Sequence, residues 1–129
     1  MNTNVGVLKM FPGISKNILH SILRSRLVEG LIIETFGSGN ATTEPWFIKL
    51  LSDAIDRGLY VINVTQCIAG AVRMGQYETS SQMKEIGVIS AKDMTTEAAV
   101  TKLMFLLANP FEKEDLKNRF ETSICGEMT

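Results

Sequence analysis

The strand-like runs in this sequence are apolar almost without interruption, and each is followed by a helical pattern. Leu31-Ile32-Ile33 opens a run that reaches Phe36, and Leu59 to Val64 repeats the habit. A strand with one wet face alternates apolar and polar residues, so continuous runs imply strands covered on both faces. Strands alternating with helices imply a parallel sheet between two helix layers, joined by right-handed crossovers. No Pro/Ser-rich linker, low-complexity stretch, charge run or fixed-period repeat divides the chain, so one domain is expected over residues 1–129.

Val5 to Phe11 reads as the first strand, ended by Pro12-Gly13, because Pro12 cannot extend a ladder and Gly13 suits a turn. Ser15 is placed to cap the next helix, with Ile14 and Leu19 as a hydrophobic staple. Ile18, Leu19, Ile22 and Leu23 form its stripe, and Gly30 closes the connection. Leu31 to Phe36 is the second strand. After the turn Gly37-Ser38-Gly39-Asn40, Thr43 caps a helix with Pro45 in its first turn, where a missing N–H costs nothing. Trp46/Phe47, Leu50/Leu51 and Ala54/Ile55 recur every four residues, and Gly58 is the natural stop. Leu59 to Val64 is the third strand. Ile68 to Gly87 reads as irregular, with a short helix around Ser81 to Ile86, and Val88 to Ser90 is the fourth strand. Asp93 or Thr95 caps a helix through about Ala108 that is apolar around most of its circumference, so it is expected to be well buried. Asn109-Pro110 stop it, and a last helix spans about Glu112 to Phe120.

Composition narrows function. The 13 Lys+Arg and 14 Asp+Glu leave a formal net charge of -1, with no excess of positive charge to neutralise phosphates, which argues against a nucleic-acid partner. An apolar fraction of 45% excludes disorder. Cys67 and Cys125 are far apart and in no metal-ligand spacing, so both read as free thiols in a reducing compartment. Met1 to Asn4 lack a signal-peptide layout, and runs such as Leu103 to Ala108 are too short to span a bilayer. A cytoplasmic protein with no membrane contact is expected.

Ligands of parallel sheets bind at the carboxyl ends of the strands. Those ends are Pro12-Gly13, Gly37 to Asn40, Thr65 to Cys67, and Asp93 to Thr95. The glycine turn is not a dinucleotide fingerprint: Thr42 stands where the third glycine belongs, and Gln66 and Cys67 follow the next strand instead of an acidic residue. Gly37 and Gly39 serve either a plain strand-to-helix turn or a backbone cradle that offers Asn40 to a small polar ligand. Thr65-Gln66-Cys67 is a polar trio fit to line a pocket, whereas Cys67 alone reads as a small buried hydrophobe without a base partner. Tyr77, Glu78 and Thr79 fall in the irregular stretch, and the seven Met read as core filler. His20 lies beside a helical stripe with no Ser, Cys or Asp partner at a telling spacing, which suits a helix flank. With one histidine and no cysteine cluster, no metal site is expected. The residues alone describe a small α/β domain with a polar rim and no self-sufficient catalytic set.

The loops themselves resemble those of the type I (cytoplasmic) bacterial L-asparaginases. The resemblance rests on Thr35-Phe36-Gly37-Ser38-Gly39-Asn40-Ala41, Asn63-Val64-Thr65-Gln66-Cys67, Met74-Gly75-Gln76-Tyr77-Glu78-Thr79 and Gly87-Val88-Ile89-Ser90-Ala91-Lys92-Asp93-Met94-Thr95-Thr96-Glu97-Ala98-Ala99. Thr101-Lys102-Leu103 follows, and the order and spacing cover essentially the whole chain. Such a resemblance implies the smaller, C-terminal domain of that family: a three-layer α/β/α unit around a four-stranded parallel sheet in the order 1-2-3-4. It implies hydrolysis of L-asparagine to L-aspartate and ammonia by the full-length protein, with no cofactor. In the family the nucleophilic threonine, and the second threonine supported by lysine and aspartate, belong to the N-terminal domain. This chain has no counterpart of those segments, so it is expected to be inactive alone and Met1 to mark an artificial or truncated start.

The resemblance also assigns residues. Asn40 matches the asparagine of a glycine-rich turn that reaches a neighbouring subunit's substrate, with Gly37 and Gly39 allowing close approach; its amide both donates and accepts. Tyr77 and Glu78 fall near the loop that completes the site. Thr65, Gln66 and Cys67 match the region of an allosteric asparagine site found in some relatives. Those relatives carry arginine where this chain has Glu34, and a carboxylate cannot clamp a ligand carboxylate as arginine does. Thr42 stands where proline is usual, and Ser80 and Ala91 where glycine is usual. The implied partners are L-asparagine, an N-terminal asparaginase domain and further copies of the chain, and an apolar patch and self-association are expected. The alternative is a stand-alone, non-catalytic amino-acid-binding or dimerisation domain. A flavodoxin-like phosphate or nucleotide binder ranks below both, for want of a fitting glycine fingerprint.

Overall fold

Leu31, Ile32 and Ile33 are all buried, and they do not share one core. The structure, a computed structural model, describes residues 4–11, 13–24, 28–35, 45–65, 78–92, 94–109 and 115–121. Strands β1 (Val5–Lys9), β2 (Gly30–Thr35), β3 (Tyr60–Thr65) and β4 (Ile89–Ser90) form one parallel sheet in the order β1-β2-β3-β4. Helices α1 (Lys16–Arg24), α2 (Pro45–Asp56) and α3 (Glu78–Ile86) lie between successive strands in the chain, and α4 (Thr96–Ala108) and α5 (Leu116–Glu121) follow β4.

Successive side chains of a strand point to opposite faces. Leu31, Ile33 and Val61 join Leu19 and Leu23 of α1, Phe47, Leu51 and Ala54 of α2, and Met83 of α3. Ile32, Ile62, Val64 and Ile89 join Ala99, Leu103, Leu106 and Leu107 of α4 and Leu116 and Phe120 of α5. Both faces are therefore dry, which is the physical reason for the unbroken apolar runs. The α/β/α architecture and its strand order agree with the expectation.

Local chemistry sets the helix ends. Ser15 Oγ accepts from the Asn17 N–H at 3.2 Å, and Ile14 and Leu19 are both buried in the first core, as a cap and staple require. In α2, Trp46 and Phe47 meet edge to face with centroids 6.4 Å apart. Gly58, at φ 105, closes α2: its N–H donates to Ile55 O at 2.9 Å and the Leu59 N–H to Ala54 O at 3.1 Å. This paired pattern is the Schellman ending, and it needs a left-handed residue. Gly58→Ala is expected to cost about 1–2 kcal/mol in a urea unfolding experiment, because an L side chain resists that backbone. An unchanged urea midpoint would contradict it.

Several boundaries differ from the sequence reading. β1 stops at Lys9, and the Met10 N–H then makes the bond to Glu34 O at 2.8 Å, which leaves Phe11 exposed beyond the sheet. Helix α3 starts at Glu78, three residues ahead of the expected Ser81, so Glu78 is helical rather than part of an irregular stretch. Met83 and Ile86 are its apolar anchors, too few to announce a nine-residue helix. Helix α4 is less enclosed than its composition suggested: Phe105 is 51% exposed while Lys102 is buried. Gly30 does more than end a connection, since a Cβ there would lie 2.6 Å from Leu103 Cδ2. Its bare backbone lets α4 settle onto β2.

Candidate functional site

The carboxyl ends of β2, β3 and β4 converge on a set of polar groups in the described structure. Thr35 and Asn63 are fully buried, and the Thr35 hydroxyl donates to Asn63 Oδ1 at 2.7 Å. The Asn63 carbonyl accepts the Ala91 N–H at 3.0 Å, which ties β4 to the same point. On the other face of β2, half-buried Glu34 accepts from Thr96 Oγ1 through Oε2 at 2.9 Å. Thr96 opens α4, and its neighbour Thr95 caps that helix by accepting the Ala98 N–H at 3.2 Å. The capping role falls on Thr95, one of the two candidates; Asp93 lies outside the described residues. A carboxylate beside a helix amino terminus is favourable on dipole grounds, and Glu34 occupies that position here.

The turn before α4 is held from two sides. Lys92 adopts φ 55, an uncommon value for a residue with a side chain. Its N–H donates to Ser90 Oγ at 3.0 Å and its Nζ to the Glu121 carbonyl at 3.0 Å. The Lys102 ammonium lies 5.4 Å from the centre of the Phe120 ring, so two lysines bind the carboxyl end of α5 to the rest of the domain.

Of the residues picked out from the sequence, Glu34, Thr65 and Glu78 fall on described elements. Thr65 is the last residue of β3 and is the register partner of Thr35. Gly37, Gly39, Asn40, Gln66, Cys67 and Tyr77 lie outside the described residues. His20 is half-buried on α1, in a groove with Lys16, Trp46, Lys49, Leu50 and Asp53, on the helix flank where it was expected. Among the described residues no group of His, Cys, Asp and Glu is placed to hold a metal. Two shallow clefts, one lined by Leu59, Tyr60, Ile89 and Leu116 and the other by Leu23, Glu29, Arg57 and Leu59, sit at the opposite, amino end of the sheet. They share no residue with the polar set at the carboxyl edge. The sequence reading missed the Thr35–Asn63 pair and the Glu34–Thr96 bond.

Residues 4–120 match the family described as the Glutaminase/Asparaginase C-terminal domain. This chain belongs to that family. L-asparaginase 1 of Escherichia coli strain K12 is 39% identical over 125 residues, which cover 97% of the chain and 37% of the relative. The 60 kDa lysophospholipase of Homo sapiens is 40% identical over 130 residues, covering 100% of the chain and 22% of the relative. The crystal structure of L-asparaginase I from Vibrio cholerae matches this fold with a TM-score of 0.91 at 41% identity, covering 100% of the chain and 39% of that protein. The asparaginase-type C-terminal domain thus spans well under half the length of these relatives. No described helix in this member of the family is long and apolar enough to cross a membrane.

Proposed function

We propose that this chain, residues 1–129, is the C-terminal domain of a cytoplasmic L-asparaginase and works with an N-terminal domain that carries the catalytic threonines. The observation that carries the reading is its match to asparaginases over nearly its whole length, at 39% and 41% identity, although it covers only 37% and 39% of theirs. The same domain occurs in relatives named as a lysophospholipase and as part of a glutamyl-tRNA(Gln) amidotransferase. A domain shared by proteins with such different names supports a scaffold and binding role, with the reaction set elsewhere in each chain.

In this reading the whole enzyme hydrolyses the side-chain amide of L-asparagine to L-aspartate and ammonia. The domain supplies contacts between copies of the protein and a part of the neighbouring subunit's pocket. Asn40 presents its amide N–H to the substrate carboxylate and its carbonyl to the α-ammonium. Gly37 and Gly39 let the backbone come close, and Tyr77 and Glu78 lie beside the closing loop. Effector binding at Thr65, Gln66 and Cys67 is disfavoured by Glu34, whose carboxylate is already engaged by Thr96 and repels a second carboxylate. Val7, Phe11, Ile18 and Phe105 are the large apolar side chains left exposed among the described residues, and they are available for contacts between copies.

The test joins this chain to the N-terminal domain of the Escherichia coli relative and measures ammonia released from L-asparagine. The joined protein is expected to turn over asparagine and the isolated chain to give only the blank rate. Release by the isolated chain above that blank contradicts the assignment of catalysis to the other domain. Saturable asparagine binding by the isolated chain, with no activity after joining, favours a stand-alone binding module instead.

A further inference from the structure

The two edges of the sheet are unlike. β4 has two residues, both buried, whereas β1 has five and borders β2 alone. Natural edges are protected by shortness, bulges, proline or inward charge. Val5–Lys9 has none of these: it pairs with β2 rung by rung, and its single lysine comes last. The Met10 N–H donates to Glu34 O, and the Asn4 carbonyl accepts from Glu29 and Gly30, so the even-numbered residues turn their backbone groups to β2. Those of Val5, Val7 and Lys9 therefore point away from the sheet. The helices beside this edge turn apolar flanks to it. On α1, Lys16 and His20 border the groove shared with α2, and Ile18 and Ile22 lie about 200° around the helix from His20. On α4, Lys102 faces Phe120, and Val100 and Met104 lie about 200° around from it. α4 rests against β1 and β2 while α5 rests against β4, so Val100 and Met104 fall on the β1 side.

We infer that β1 is the seam of a two-fold dimer, paired antiparallel with β1 of a second copy of this chain. An axis through Val7 sets Val7 against Val7 and Lys9 against Val5. All three outward-facing residues then fall in bonded pairs, each exchanging both bonds. Charge completes the match. Lys9 shares the sheet face of Val5, which packs against the second core. Leu103 and Leu107, toward the carboxyl end of α4, lie over Gly30, the register partner of Val5. Pairing thus brings Lys9 of each copy to the carboxyl end of the other copy's α4. That helix has no basic residue in its last turn, and a cation there is favourable. A patch that satisfies itself in this way suits a second copy better than an unlike partner. The inference deepens the proposed contacts between copies and does not depend on the asparagine site.

Sedimentation equilibrium of the 129-residue chain tests it. Wild type is expected at twice 14.3 kDa. Val7→Pro deletes an outward N–H and spares the β2 ladder, so it is expected to weaken the dimer about tenfold or more with an unchanged far-UV circular dichroism spectrum. Val7→Lys sets like charges face to face on the axis and serves if the proline variant does not fold. With Cys67 and Cys125 changed to Ser, Val7→Cys is expected to cross-link two copies on mild oxidation, since bonded partners have Cα atoms about 5.5 Å apart. Val5→Cys, set against Lys9, is expected not to. A monomeric wild type, a dimer indifferent to both Val7 substitutions, or cross-linking at Val5 instead of Val7 would overturn the inference. So would a dimer that dissociates once the N-terminal domain of the Escherichia coli relative is joined, which would assign the edge to that domain. A joined protein that ignores asparagine but still dimerises through Val7 sinks the asparaginase reading and leaves this one standing.

Discussion

Phe120→Ala is expected to lower the unfolding free energy by about 3–5 kcal/mol, the usual cost of emptying a large aromatic site. Phe120 is 0% exposed and fills the second core together with Leu103, Leu106 and Leu116. Its ring also faces the ammonium of Lys102, a residue only 6% exposed. Truncation leaves a cavity and removes the aromatic partner of a buried cation, and the two losses act at the same place. The described residues of helix α5, Leu116–Glu121, are anchored through Leu116 and Phe120 in the second core, so docking on α4 and the sheet holds them in place. Phe120→Leu keeps most of the volume and is expected to cost less than about 1.5 kcal/mol. Urea unfolding followed by far-UV circular dichroism measures both, and near-equal losses for the two variants would show that ring volume is not what matters.

In the proposed assembled enzyme, Asn40→Ala is expected to lower kcat/KM for L-asparagine by about ten- to a hundredfold, the factor for a hydrogen bond to a charged partner. Asn40→Asp should be worse, since an ionised carboxylate donates nothing to the substrate carboxylate and repels it. Thermal midpoints should be unchanged in both, which separates a pocket role from a folding role. Wild-type kinetics in both variants would remove Asn40 from the site and leave the fold assignment untouched.

The alternation of apolar strands and helical stripes carried the architecture because both cores impose local patterns. Phe47, Leu51 and Ala54 recur on one side of α2, and all three are buried where that period puts them. Long-range pairings left no such trace. Asn63 sat inside an apolar run, and the Thr35 hydroxyl that explains it lies 28 residues away. Thr96 and Glu34 are 62 apart. Lys102 was invisible for another reason: a lysine stem buries readily when its charge finds a ring, and charge alone marks such a residue as a surface one. The proposed asparagine site rests on motif resemblance alone, because its glycines and amides have no periodicity and lie outside the described residues.

The order of strands in the sheet repeats their order in the chain, so each strand-helix unit emerging from the ribosome can add to an edge already present. The two faces nevertheless mature at different times. One is closed by α1, α2 and α3, which alternate with the strands, while Ile32, Ile62 and Val64 wait for α4 and α5. At about 5–20 residues per second, translation of the intervening sequence leaves that second face bare for several seconds. During that interval the nascent domain is a sheet with one lining and one bare apolar face.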